Sequence, residues 1–306
     1  MTLTAFILIF ASLLLHSLWH FLCKSSGKSS MSFFALFSTS ILLVILPMGL
    51  MSGLLFKLPL DILQYAFLGA FCGVFCDVGL MMAYRNCDIS MAYPMARALP
   101  VFFTMLVTSL FHWGKALSVW SVAGMIIIFA GCMCMAFTDS CDGMSLMEKL
   151  KSIRKGLIGI LIAAAGTTGY TVADGFGIKK IMDFAPEGSN ALLTAAAYST
   201  CRESFASAML WLIVPCCLCC GKEKGLLKNL VRSYHPFAAG VAAGLAYLLV
   251  LVAMDHVNNV SFVQAFRQLS LPVGALLGFI ILKEKVSILR LTALAVIMLG
   301  LIISVI

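Results

Sequence analysis

Six ionisable side chains stand inside long apolar segments of this 306-residue chain, and their types limit the chemistry available to them. Three are basic and three acidic: Arg97, Arg202, Arg267, Asp77, Asp174 and Glu203. A guanidinium offers a planar fork of donors that fits carboxylate, phosphate or phosphonate. A carboxylate in apolar surroundings pairs with a cation or exchanges a proton. The set therefore predicts either a path for a polar solute or a structural network of ion pairs.

Two of the arginines lie on matching polar faces. In the stretch "DISMAYPMARALPV", Tyr93 and Arg97 are four residues apart and share one face of a helix. In the similar stretch "NVSFVQAFRQLSLPV", Gln264, Arg267 and Gln268 make the corresponding face. We therefore expect the two guanidinium groups to converge on one anionic group of a solute.

The stretch "YTVADGFGIKK" places a carboxylate late in an apolar run. Tyr170 and Asp174 share a face, and the glycines that follow allow the helix to loosen or another segment to come close. Near the outer end of its helix, Asp174 is predicted either to form an ion pair that gates the solute path or to carry a proton. Arg97 and Lys179 are its candidate cationic partners, and Asp77 is the rival proton site.

Composition indicates which elements position these side chains. Hydrophobic residues make up 62% of the chain and charged residues 11%, and the mean hydropathy is +1.05. A soluble domain carries far more charge than this. A bilayer core needs about 20 apolar residues per helix, so the chain is predicted to be an all-α membrane protein. Ten transmembrane helices are expected, at residues 3–22, 31–54, 62–83, 90–111, 117–137, 157–177, 190–217, 236–255, 260–282 and 286–305.

The net charge of +8 is distributed in the way expected for membrane loops rather than for nucleic-acid binding. Of the Lys and Arg residues that flank the spans, 14 lie on one side and four on the other, namely Lys57, Lys115, Lys179 and Lys180. The positive-inside rule assigns the richer side to the cytoplasm. Both termini are then expected outside, in the plasma (inner) membrane.

The first span carries a further candidate face made of His16, Trp19 and His20. Trp19 fits an aromatic belt at the membrane interface equally well. Tyr247, in the eighth span, is expected to line the path of the solute.

Arg202 and Glu203 are candidates for coupling or gating in the seventh span. Adjacent helical residues point about 100° apart. The two side chains are therefore expected not to pair simply with each other.

The chain repeats itself after its first five spans. Beyond the two similar stretches, Ser118 aligns with Ser287 and Gly131 with Gly300. The predicted units are a first five-helix repeat at 1–137, a charged cytoplasmic linker at 138–155 and a second repeat at 156–306. Because five is odd, the second repeat must enter the membrane from the opposite side, an arrangement typical of secondary transporters.

The motifs "LHSLWHFLCK" and "GALLGFIILKEKVSILRLTALAVIMLGLIISVI", with two five-helix halves, resemble the EamA-type transporters of the drug/metabolite transporter superfamily. Lys283-Glu284 matches that family's turn before its last helix, whereas Gly114-Lys115 departs from it in the first half. The stretches "AYPMAR" and "YTVADGFGIKK" also resemble a subgroup associated with phosphonate-utilisation gene clusters. The resemblance covers the whole chain and implies transport, often export, of a small metabolite.

These observations favour a secondary transporter of a small polar solute, anionic or zwitterionic, with proton coupling left open. Its partners would be the solute and the lipid bilayer, as a monomer or a homodimer, with no cofactor, metal ion or nucleic acid. Two other classes stay open. A membrane-embedded enzyme acting on a lipid headgroup would use His16, His20 and the aspartates for acid–base steps, but no nucleophile motif or HExxH spacing supports it. A channel is disfavoured by prolines and paired charges within the spans.

Overall fold

Helices make up the regular structure in the part of the chain that the structure describes. The computed structural model describes residues 2–25, 30–86, 89–137, 154–219, 221, 223, 225–271 and 288–305, and no strand occurs in these ranges. The main helices are α1 (Leu3–Ser25), α2 (Met31–Met51), α3 (Leu60–Asn86), α4 (Ile89–Leu110), α5 (Val119–Phe137), α6 (Arg154–Phe184), α7 (Ala191–Cys219), α8 (His235–Asp255), α9 (Val260–Phe266) and α10 (Ile288–Val305). A short helix (Leu226–Val231) precedes α8, and one 3-10 turn (Arg267–Leu269) follows α9.

The length and apolar composition of its helices indicate that this is a multi-pass membrane protein. Among the described residues, α2, α3, α6, α7 and α8 are long and apolar enough to cross a bilayer. Helices α1, α4, α5 and α10 contain shorter apolar stretches. Residues 138–153 of the predicted linker, Ser287 of the predicted repeat and the Lys283-Glu284 turn lie outside the described residues.

Four pairs of helices make the most extensive lateral contacts: α3 with α6, α5 with α10, α1 with α8, and α2 with α7. Glycines let the backbones meet at two of these contacts. A Cβ atom on Gly79 of α3 would lie 2.3 Å from the Ala163 nitrogen of α6, and one on Gly124 of α5 would lie 2.4 Å from the Ser304 nitrogen of α10. Small residues at close crossings are typical of membrane helices, which associate through packing.

The loop after α4 is joined to the loop before α9. The Lys115 backbone nitrogen donates to the Asn258 carbonyl oxygen at 2.9 Å, and Asn259 Nδ2 donates to the Lys115 carbonyl oxygen at 3.2 Å. Asn259 also caps α9, since its Oδ1 accepts from the Ser261 nitrogen at 2.9 Å. Gly114 has φ +88°, and a Cβ there would lie 2.5 Å from the Asn258 carbonyl oxygen. These contacts hold the two arginine-bearing segments next to each other.

Candidate functional site

A cavity of about 140 Å³ lies between α1, α2, α3, α4, α6, α7, α8 and the segment that begins with α9. Most of the residues that the sequence analysis selected line it: His16, Trp19, Asp77, Arg97, Tyr170, Arg202, Glu203, Tyr247, Gln264, Arg267 and Gln268. A water molecule needs roughly 10–15 Å³ of such space. The cavity therefore has room for a small solute.

Arg267 enters the cavity from the 3-10 turn after α9, and its side chain is held by neutral groups. Its Nη1 lies 3.5 Å from Gln264 Oε1, and its Nη2 lies 3.0 Å from His16 Nε2. Because a guanidinium only donates, His16 accepts at Nε2 and uses Nδ1 to donate to the Ser12 carbonyl oxygen at 3.2 Å. Within the described ranges no carboxylate lies within 4 Å of Arg267, and its buried Nε has no hydrogen-bond partner.

Arg97 reaches the same wall from α4. Its Nη2 donates to the Arg267 carbonyl oxygen and to Ser270 Oγ, each at 2.6 Å. In return, Gln268 Nε2 donates to the Arg97 carbonyl oxygen at 3.1 Å. The structure thus brings the two arginines together, and they form the basic wall of the cavity with His16.

Arg202 connects two carboxylates, and the expectation that it does not pair with its neighbour was wrong. Its Nη1 contacts Glu203 Oε1, and its Nε donates to Asp174 Oδ2 at 2.9 Å. The angle of about 100° between adjacent residues restricts their Cβ directions, but the long side chains curl back so that their ends meet. Ser38 of α2 also donates to Glu203 Oε2 at 3.2 Å.

Asp174 lies behind the cavity wall and is fully buried. Its Oδ1 accepts from the Tyr198 hydroxyl at 2.8 Å, and its Oδ2 accepts from the Tyr247 hydroxyl at 2.6 Å as well as from Arg202. The expectation of Arg97 or Lys179 as the cationic partner was therefore wrong: α7 supplies that partner, because Arg202 enters between α6 and α8.

Glycine makes room for this network on two sides. A Cβ on Gly69 of α3 would lie 2.1 Å from Asp174 Oδ1, and one on Gly177 would lie 2.4 Å from the Tyr198 ring. Gly177 thus admits the Tyr198 side chain from α7 beside Asp174.

Tyr247 lies between the two cationic groups. The Arg202 Cζ atom is 5.0 Å from its ring centroid and the Arg267 Cζ atom is 5.7 Å from it. Tyr170 packs edge-on against it at 5.7 Å and also accepts Arg202 over its face at 5.4 Å. Cation–π contacts of this kind stabilise a guanidinium in a low-dielectric site.

Asp77 lines the cavity from α3 and has no hydrogen bond or ion pair within the described part of the chain. Trp19 also lines the cavity and packs against Phe37, with ring centroids 5.5 Å apart. The side chains of Tyr93 and His20 lie outside the described residues.

Glu223 was not among the residues selected from the sequence. Its side chain is only 1% exposed. Its carboxylate accepts from the Met31 nitrogen at 2.9 Å, from the Ser32 nitrogen at 3.0 Å and from Ser32 Oγ at 2.6 Å, and Arg85 Nη2 lies 3.2 Å away. The available signal was that α2 has no acidic residue in its first turn, although a helix N-terminus favours one.

The Glu223 contacts join α2, the end of α3 and the loop after α7. Burial raises the pKa of Glu223, but the Ser32 and Met31 hydrogen bonds and the Arg85 charge outweigh it, so the pKa lies below its usual range. A carboxylate with a lowered folded pKa contributes stability above its unfolded pKa, about 4.3, and loses it as the pH falls through the folded value.

We therefore expect Glu223→Gln to lower the stability of the purified protein at pH 7 by about 1.5–3 kcal/mol, the range for hydrogen bonds to a charged group. Thermal unfolding in detergent measures this, and the gap between variant and parent should close as the pH falls well below 4. The exposed Glu187→Gln is the matched control. Equal unfolding midpoints for Glu223→Gln and the parent at pH 7 would contradict the account.

Comparison with protein-family models finds no match, and comparison with curated proteins finds no relative. Among solved structures, 26 chains match. One of them, described only as "Crystal structure of protein", superposes with a TM-score of 0.67 over 98% of this chain and 96% of its own, at 18% sequence identity. At this identity the likeness shows the fold alone.

Proposed function

We propose that this protein is a secondary transporter that moves a small polar solute bearing an anionic group, either an anion or a zwitterion, by alternating access. The observation that carries the proposal is Arg267, a buried guanidinium on the wall of a membrane cavity with no carboxylate within 4 Å among the described residues. An ionisable group within a membrane protein faces a solute path or a partner. A solute anion supplies the missing partner.

The pattern of helix pairs supports an inverted repeat. If α1–α5 and α6–α10 are two related halves, exchanging them turns the α1–α8 pair into the α6–α3 pair. The same exchange leaves the α2–α7 and α5–α10 pairs unchanged. All four are the main contacts of the bundle. Such symmetry is the basis of alternating access in many carriers, and it agrees with the resemblance to EamA-type transporters.

Two carboxylate networks contact α3 at different levels, one at Arg85 in its last turn and one at Gly69 in its first half, and they suit alternate closure. Glu223 joins segments next to Tyr84, which lines the cavity near the end of α3. Asp174 joins α6, α7 and α8 at the level of Gly69. In the proposed orientation, with termini outside in the plasma (inner) membrane, the Glu223 network is cytoplasmic. Export is the proposed direction, with protonation of Asp174 opening the outer end.

Reconstitution of the purified protein in liposomes tests this function. A thermal-stabilisation screen of small acids first selects a solute. Its uptake should then saturate with concentration and respond to an imposed proton gradient. Flux that rises linearly without saturation would identify a channel instead, and conversion of a lipid headgroup without solute flux would identify an enzyme.

A further inference from the structure

The two walls of the cavity carry opposite charge. Arg202 serves both Asp174 and Glu203, so that network has two carboxylates for one guanidinium. Asp77 adds another carboxylate on the same wall, with Glu203 and Arg202 as its charged neighbours. On the other wall, Arg267 is held by neutral groups. A ligand that complements both walls therefore needs a negative and a positive end.

Asp77 is the group best placed to receive the positive end. No hydrogen bond or ion pair from the described ranges reaches its carboxylate, although it lines the cavity. Arg202 already serves two carboxylates through Nε and Nη1, and it makes no ion pair with Asp77 within the described ranges. An unpaired carboxylate in a membrane interior is costly unless a cation or a proton neutralises it.

The aromatic side chains of the cavity are less suited than Asp77 to bind the ammonium group of a ligand. The faces of Tyr170 and Tyr247 are already occupied by Arg202, and Tyr247 also has Arg267 near it. A ligand ammonium therefore gains more from a carboxylate than from these rings.

We propose that Asp77 binds the ammonium group of a zwitterionic solute whose acidic group lies at Arg267, in a cavity that Glu203 also lines. This inference rests on the proposed function, because it takes Arg267 as the anion site of the same cavity. It narrows the solute from any small acid to an amino acid or amino phosphonate. The ammonium group donates to Asp77, and the acidic group accepts from the guanidinium.

The test compares acids that differ only in an amino group. The probes are alanine with propionate, 2-aminobutyrate with butyrate, and 3-aminopropylphosphonate with propylphosphonate. Binding to the purified full chain in detergent is measured by calorimetry and thermal stabilisation. We expect the amino member of at least one pair to bind roughly ten- to a hundredfold more tightly, as expected for one charge-assisted contact.

Variants separate this subsite from the anion site. Asp77→Asn should remove the preference for the amino member, and the deamino acid should bind at least as tightly as it binds the parent, because the variant removes a negative charge from the cavity. Asp77→Glu should keep the preference, which guards against a folding defect in the first variant. The exposed Asp183→Asn is the matched control and should behave like the parent.

The possible results distinguish failure of the ammonium subsite from failure of the proposed function. Equal binding of both members of every pair overturns the ammonium subsite and leaves the proposed function intact. A preference that survives in Asp77→Asn also overturns it. If no acid binds, with or without an amino group, both the subsite and the proposed anion site fail.

Discussion

Arg267→Lys is expected to weaken binding of the solute's acid by roughly ten- to a hundredfold, the loss of one or two charge-assisted hydrogen bonds. Lysine keeps the positive charge, but it lacks the planar fork that grips an acid through two parallel bonds. It also cannot reach His16 and Gln264 in the geometry that now orients the guanidinium. Calorimetry with the best-stabilising acid from the screen measures the change.

Arg97→Lys extends the same test to the facing segment. Arg97 Nη2 bridges the Arg267 carbonyl oxygen and Ser270, so its replacement should weaken binding as well. Folded yield should fall less than affinity in both variants. The exposed Arg232→Lys is the matched control. Parent-like affinity in both cavity variants would remove these arginines from the site.

Asp174→Asn is expected to uncouple flux from pH while solute exchange at equal pH continues. Asparagine keeps the size of the side chain and imitates the protonated acid. A neutral group no longer attracts Arg202, which then remains paired with Glu203. The Tyr198 and Tyr247 hydroxyls lose a charged acceptor, so the joint between α6, α7 and α8 weakens. Flux into liposomes with and without a pH gradient measures the effect.

The exposed Asp183→Asn provides the control for this variant, because it removes the same charge away from the network. If Asp174→Asn keeps the full proton dependence of the parent, Asp174 is a structural member of the ion-pair network. The pH response would then be assigned to Asp77, the other candidate proton site.

The helical membrane class could be predicted because composition alone determines it. Apolar runs of bilayer length have no stable alternative to helices in lipid. The predicted span 190–217, for example, corresponds closely to α7 (Ala191–Cys219). The α-helix ending at Phe266, followed by a 3-10 turn, could not be predicted in the same way. Apolar periodicity does not distinguish a tight turn within a span.

Which charged side chains lie together at the site could be predicted in part, since charged groups within a membrane must pair with one another or face a cavity. Arg97, Arg267 and Asp77, which that reasoning selected as site candidates, line the cavity. The pairing of Arg202 with Asp174 and Glu203 depends on how α6, α7 and α8 pack, which no local pattern reveals. Glu223 escaped notice because its acceptor role depends on a distant helix N-terminus.

Counterflow tests the central claim, a cavity that carries its solute by alternating access, most directly. Liposomes containing the protein are loaded with a high concentration of the unlabelled acid that stabilises it best, and are then diluted into a trace of the labelled acid. A carrier exchanges one for the other, so the account predicts a transient accumulation of label inside, above its equilibrium level. Simple equilibration of the label without an overshoot would contradict alternating access.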